Sequence, residues 1–476
     1  MTRIEQIHAR EVFDSRGRPT VEVEIRCAGG RTARAIVPSG ASTGEHESVE
    51  LRDEGEARLD GSGVTRAVSH VRGEIAQALQ GADAADQQQI DRVLCELDGT
   101  PNKSRLGANA ILGVSLAAAC AAAEAKNIRL IDHLRDLWRQ VPSSTATAAA
   151  DSAAGQSPTV SHVTPHESFS PLGTGFSLPL PMVNMISGGL HAGGNLDFQD
   201  FLILPVGASS YRQALDWIIT VYRRLGTLLE QTRRGGRLVG DEGGYGPILE
   251  SNGAAVEFVV AAIEAAGLAP GDDVAIGLDV ASSHFYRDGK YVLSAGAGTE
   301  LTSEELVGLL ESWVDRWPVI SIEDGLAEND WDGWKLLTER LSDRVQLIGD
   351  DLFVTSRHRL QRGIDSGTAN SVLIKLNQIG SLWETLETLR LALDNGYWPV
   401  VSARSGETED SFIADLVVAT GAGQIKVGSI TRSERLAKYN QLLRLDEQLG
   451  DDAAWYGGSL FGRIRRSAST WKEAGE

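Results

Sequence analysis

The chain has 476 residues, with 45 Lys and Arg against 65 Asp and Glu, a formal net charge of -20, and 42% hydrophobic residues. This charge excludes nucleic acid and anionic membrane as main partners, and the composition, with a mean hydropathy of -0.15, fits a globular chain of about two or three domains. No apolar run approaches the roughly 20 residues of a membrane span, and the start, MTRIEQIHAREVFDSRG, is no signal peptide.

Residues 20–26 (TVEVEIR) and 32–37 (TARAIV) alternate apolar and polar side chains and predict antiparallel strands. Helical patterns follow, including the alanine-rich stretch 107–126, so residues 1–139 read as a separate α+β domain. Cys27, Cys95 and Cys120 are far apart, lack metal spacing, and read as reduced thiols of a cytoplasmic protein. Residues 140–176 change to small and polar side chains, with no Lys or Arg between Arg139 and Arg212, and read as a flexible insertion or linker.

From residue 177 short apolar strands alternate with amphipathic helices. The strands are expected at 275–278, 319–322, 345–348, 372–374, 399–402 and 424–427, and helices at 303–317, 331–340, 356–366 and 381–395. Repeated βα units predict an α/β barrel over 177–476, with a doubly wound open sheet as the alternative. Arg463, Arg465 and Arg466 read as a solvated tail.

The strand endings carry the chemistry: Asp279, Glu323, Asp350, Lys375, Arg404 with Ser405, and Lys426. C-terminal strand ends of a barrel converge on one mouth. One carboxylate there could be a helix cap or an ion pair. Three on neighbouring strands suit a hard cation such as Mg²⁺. Only eight of the 45 basic residues are lysines, yet two of them, Lys375 and Lys426, sit in apolar strand settings. Arginine stays protonated, whereas a desolvated lysine can act as a base, so Lys375 is expected to have its pKa lowered by burial and nearby positive charge.

The segments SGASTGEHE (39–47), GGLHAGGN (188–195), GDEGG (240–244), GLDVASSHF (277–285), SIEDGLAENDW (321–331), GDDLFVT (349–355), ANSVLIKLNQIG (369–380), RSGETEDSFIADL (404–416), QIKVGS (424–429) and RSERLAKYNQLLR (432–444) resemble enolases. The resemblance runs through nearly the whole chain, interrupted mainly between 141 and 176. It implies an N-terminal α+β cap domain, then an enolase-type α/β (TIM-like) barrel with antiparallel elements near its start, and a homodimer or higher even oligomer. It implies two Mg²⁺ per active site. Asp279, Glu323 and Asp350 would hold one, and Ser42 would reach a second that also touches the substrate phosphate. Arg404 and Ser405 would grip the phosphate, Lys375 would be the base, and Lys426 would neutralise the substrate carboxylate. Glu242 would be the acid where the hydroxyl leaves, with His191 and Asp200 in the same pocket and Gln199 and Ala403 among the substrate-contacting positions.

The departures from the resemblance cluster. Enolases ordinarily read SHRSGETED where this chain has SARSGETED, so a pocket histidine is Ala403; QEF is QDF, shortening a glutamate to Asp200. Ser187 replaces an asparagine, Tyr245 a phenylalanine, and His284 sits in ASSHF as a peripheral change. The expected function is therefore proton abstraction next to the carboxylate of a small phosphorylated acid, in a specialised paralogue similar to carboxyphosphonoenolpyruvate synthase of phosphinate antibiotic pathways. A nucleotide-activated phosphonate would then be the second substrate. The alternative is a glycolytic enolase converting 2-phosphoglycerate to phosphoenolpyruvate and water. A non-catalytic binding role is weakened by the intact metal and lysine positions.

Overall fold

The computed structural model describes residues 1–40, 44–143, 175–232, 237–295, 298–462 and 464. Ser42, the core of the expected insertion (144–174) and the arginines at 463, 465 and 466 lie outside the described residues.

Three antiparallel strands, Ile4–Phe13, Pro19–Cys27 and Thr32–Ile36, form the N-terminal sheet in that order. The second and third match the alternation read in the sequence. The first is not legible as alternation, because a register shift between Ile4 and Gln6 breaks the two-residue period. Helix Ala108–Lys126 lies across the sheet so closely that a side chain at Gly113 would meet Val23 Cγ2 at 2.7 Å. Contrary to the hydropathy reading, this 19-residue helix is apolar and long enough to cross a bilayer; 89% of its most apolar window is buried inside the fold instead. Helix Leu130–Gln140 packs against both Ala108–Lys126 and the later helix Phe412–Thr420.

The second part is a closed eight-stranded barrel. In chain order its strands are Leu180–Ser187, Asp200–Leu204, Ala275–Asp279, Val319–Glu323, Gln346–Gly349, Ser371–Ile374, Trp398–Ser402 and Gln424–Gly428. The open-sheet alternative is excluded by the parallel pairing of the last strand with the first. The Asp200–Leu204 strand runs antiparallel to both neighbours. Its reversal has a consequence for the site: its N-terminal end, not its C-terminal end, reaches the mouth where the other strands finish. Asp200 is thereby set opposite Ser187 on one side and Asp279 on the other.

The expected helices form at Ser303–Arg316, Trp331–Leu341, Arg357–Ser366 and Leu382–Asp394. Ser356 and Ser381 are caps rather than first-turn residues, each side chain accepting from a backbone N–H three residues on. Inside the barrel the chemistry changes along the axis. Leu202, Leu204, Ile320, Leu373 and Val400 pack with Phe461 and Ile464 in one apolar cluster. A buried polar layer follows, in which Gln346 Nε2 donates to Gln424 Oε1 (2.7 Å) and Ser371 Oγ (2.9 Å). The charged strand ends come next.

Candidate active site

Lys426 projects from the last strand between two carboxylates. Its Nζ donates to Asp279 Oδ2 and to Glu323 Oε2, each at 2.7 Å, with all three side chains under a tenth exposed. Lys375 Nζ donates to Asp350 Oδ2, and Gln378 Nε2 holds the other oxygen of that carboxylate at 2.8 Å. Gln199 Nε2 reaches Asp279 Oδ2 at 3.4 Å. The strand ends thus bring together the three expected metal ligands and both expected lysines.

The charge states differ from the expectation at Lys375. Burial lowers its pKa, but the Asp350 carboxylate outweighs burial and the nearby Arg404, so the pKa is raised. The sequence shows the apolar setting of Lys375 but not that a carboxylate lies against it. Burial likewise opposes the Lys426 ammonium, and Asp279 and Glu323 more than compensate, raising it well above the ordinary range. Glu323 is pushed up by burial and then by repulsion from Asp279.

Arg404 Nη1 donates to Glu47 Oε2 (2.9 Å) and to Asn377 Oδ1 (2.8 Å), while Arg16 Nη1 approaches Ser405 Oγ at 3.4 Å. Glu47 and Arg16 both come from the N-terminal domain. A buried guanidinium from helix Ser433–Leu449 supports the same loop. Arg435 donates to the carbonyl oxygens of Arg404, Ser405 (2.7 Å) and Val427 (3.0 Å) and lies 3.9 Å from Glu242 Oε1.

On the opposite side, His191 Nδ1 is 3.0 Å from Asp200 Oδ2, and Asn184 Nδ2 donates to Asp200 Oδ1 and, at 2.9 Å, to Ser187 Oγ. Burial disfavours the imidazolium, but Asp200 and Glu242 outweigh it and carry His191 up to about 9. Burial also works against the Glu242 carboxylate; Arg435, His191, Lys426 and Lys375 win, and its pKa is lowered.

A small cavity of about 20 Å³, room for little more than one water, lies among these groups. Lys375, Lys426, Asp279, Gln199, His191, Glu242, Ala403, Arg404 and Ser405 all line it. Asp200, Glu323 and Asp350 stand behind the lining. Asp200 is fully buried, and among the described residues His191 is the lining side chain it hydrogen-bonds. The buried Oε1 of Gln199 has no hydrogen-bond partner among the described residues.

A family model described as the enolase N-terminal domain matches residues 4–134, and one described as the enolase C-terminal TIM barrel domain matches residues 175–464. This chain belongs to the enolase family. Enolase-family proteins generally bind Mg²⁺, and the donor set here fits one. Asp279, Glu323 and Asp350 offer hard oxygen donors, and the ammonium groups of Lys375 and Lys426 lie against them. Ser42, expected near a second ion, lies outside the described residues.

Sequence reasoning missed Glu47, Asn184, Asn377, Gln378 and Arg435. Their contacts come from loops, helices and, for Asn184, the first barrel strand, whose approach no local period reveals. Glu47, Asn377, Gln378 and Arg435 all lie within quoted enolase-like segments, which was the available signal; Asn184 lies outside them. The two conservative departures are packing changes: Tyr245 stacks on Tyr222 with centroids 4.4 Å apart, and His284 does not line the cavity.

Proposed function

We propose that this enolase-family enzyme removes the proton next to the carboxylate of a small phosphorylated three-carbon acid. Lys375 in its neutral form takes the C2 proton, leaving the electron pair on the substrate as an enediolate. Lys426 stabilises that charge, and Arg404 and Ser405 hold the phosphate with charge-assisted and hydroxyl hydrogen bonds. When bound at Asp279, Glu323 and Asp350, Mg²⁺ supplies positive charge to the substrate carboxylate and takes over the charge balance now carried by the lysines. A second Mg²⁺ near Ser42 belongs to the same proposal.

The observation that carries the finer reading is the wall at Ala403. A methyl group stands there, and Asp200 is turned away to His191. This supports a specialised enzyme, similar to carboxyphosphonoenolpyruvate synthase, that accommodates a nucleotide-activated phosphonate and dehydrates 2-phosphoglycerate alone only slowly. Cytoplasmic localisation fits the three free thiols, and a homodimer or higher even oligomer is part of the proposal. The second reading, a glycolytic enolase, is favoured by the retention of His191 and Glu242 at the same end of the cavity.

The deciding experiment gives the protein 2-phosphoglycerate in deuterated water, alone and then with nucleotide-linked phosphonoformate. Deuterium should enter C2 faster than phosphoenolpyruvate appears, and Ala403→His should raise dehydration. Turnover of 2-phosphoglycerate alone at about tens per second, within the usual enzyme range, would establish the glycolytic reading instead.

A further inference from the structure

Loss of the C3 oxygen needs a proton as well as a base. Where an enolase has a histidine at position 403, this chain offers a methyl group. Among the described residues, the proton carriers at the His191 end of the cavity are His191 and Glu242. His191, Asp200 and Glu242 each place a ring nitrogen or carboxylate oxygen within 4.8 Å of one another. Three features separate their roles. Asp200 engages Nδ1, and Nε2, on the far side of the ring, has no hydrogen-bond partner among the described residues. Asp200 is fully buried, sits at the reversed strand's N-terminal end, and is held on its other oxygen by Asn184. Asn184 is in turn tied to Ser187, one of the altered positions.

We infer that His191 is the acid that protonates the departing C3 oxygen, with Asp200 and Asn184 as positioning residues. The inference rests on the proton-abstraction reading above and changes the expected acid from Glu242 to His191. In the step, Lys375 takes the C2 proton and the C2 electron pair forms the C2–C3 double bond. The C3–O bond breaks, and His191 Nε2–H gives its proton to the oxygen, which leaves as water. One proton is taken up and one released, so the enzyme returns to its starting state by passing a proton from Lys375 to His191 through solvent. Glu242, close to Arg435 and anionic, serves to hold the imidazolium. The groups facing His191 from the packed elements are Asp200, Glu242, Asp279 and His284. The three carboxylates favour its protonated form, and together they outweigh burial and His284.

The test compares two leaving groups in the full-length enzyme with Mg²⁺ supplied: hydroxide from 2-phosphoglycerate and chloride from 3-chloro-2-phospholactate, which departs without a proton. His191→Gln should slow dehydration about 10²–10⁴-fold, the usual worth of a general acid, while chloride loss and C2 deuterium exchange stay within about threefold. Retained exchange also shows that the variant is folded. Glu242→Gln should slow dehydration less than His191→Gln does and, because Glu242 holds the imidazolium, should move the pH at which dehydration falls to a lower value. The dehydration rate of the unmodified enzyme should fall as pH rises through the raised His191 pKa. Asp200→Asn should move that fall to lower pH by about 1–3 pH units, and Asn184→Ala should move it the same way. Equal loss of both eliminations in His191→Gln, or a larger leaving-group difference in Glu242→Gln than in His191→Gln, would overturn the assignment. No C2 exchange in the unmodified enzyme would overturn the proton-abstraction reading, and this inference with it.

Discussion

Two ammonium groups balance three buried carboxylates at the barrel mouth, and this balance decides what Lys375 can do. Bound to Asp350, it is protonated and cannot accept a proton; it becomes a base when the charge on Asp350 is met by another cation. Lys375→Arg should therefore lose C2 deuterium exchange by about 10²–10⁴-fold, since a guanidinium keeps its protons. Fold and phosphate binding should persist. Exchange at an undiminished rate would give the base to another residue. The positions of these lysines and carboxylates were legible because each ends an apolar strand, and a closed barrel gathers such ends. Their charge states were not, because the sequence cannot say that Lys375 meets Asp350 or that Lys426 bridges Asp279 and Glu323. Asp200 shows the same limit. One methylene separates it from a glutamate, but only the partner at Nδ1 of His191 shows that the shorter side chain orients a neighbour rather than facing the substrate.

At the scale of elements, the reversed strand and helix Ser433–Leu449 do most to shape the pocket. The reversal carries Gln199 and Asp200 to the mouth, and the pairing leaves little choice of register. A slip of one residue would exchange the barrel interior for its outer face. The short strands after residue 270 were readable because both faces are buried and their side chains are nearly all apolar. The two strands before it were covered only by resemblance, since the reversal follows from tertiary pairing. The helix places Arg435, wholly buried, against the backbone of Arg404 and Ser405, the pair proposed to hold a phosphate. Arg435→Ala removes a charged donor from three carbonyl oxygens and a counter-charge from Glu242. The expected loss is about 3–5 kcal/mol, the range for breaking a buried charged pair, read by urea denaturation. Arg435→Lys should recover only part of it, because an ammonium lacks the planar fork. Stability within about 0.5 kcal/mol of the unmodified protein, the range of ordinary surface substitutions, would show that the helix does not anchor this loop.

Across the whole molecule, the site is complete only when the N-terminal domain is docked on the barrel. Ser39 pairs with Gly406 in both backbone directions, Ser15 N–H donates to the carbonyl of Glu407 at 2.7 Å, and Ile36 N–H donates to Asp410 at 3.0 Å. A side chain at Gly406 would strike Asp14, Arg16 and the Ser39 carbonyl, all within 2.6 Å, so the two domains meet at a position with room only for glycine. Glu47 crosses the same boundary to pair with Arg404, the two side chains 6% and 3% exposed. A carboxylate therefore occupies the guanidinium that a substrate phosphate would use, and the domain contact and the phosphate site draw on one charge. Glu47→Ala should destabilise the protein by about 3–5 kcal/mol by removing the paired carboxylate of a buried guanidinium. Inorganic phosphate should then restore stability by more than it adds to the unmodified protein, because a ligand stabilises in proportion to the logarithm of its binding to the native state, and in the variant Arg404 no longer shares its charge with Glu47. Thermal denaturation at several phosphate concentrations measures both effects. An equal gain in the two proteins would mean that phosphate and Glu47 do not compete for Arg404, and that the domain contact is independent of the phosphate site.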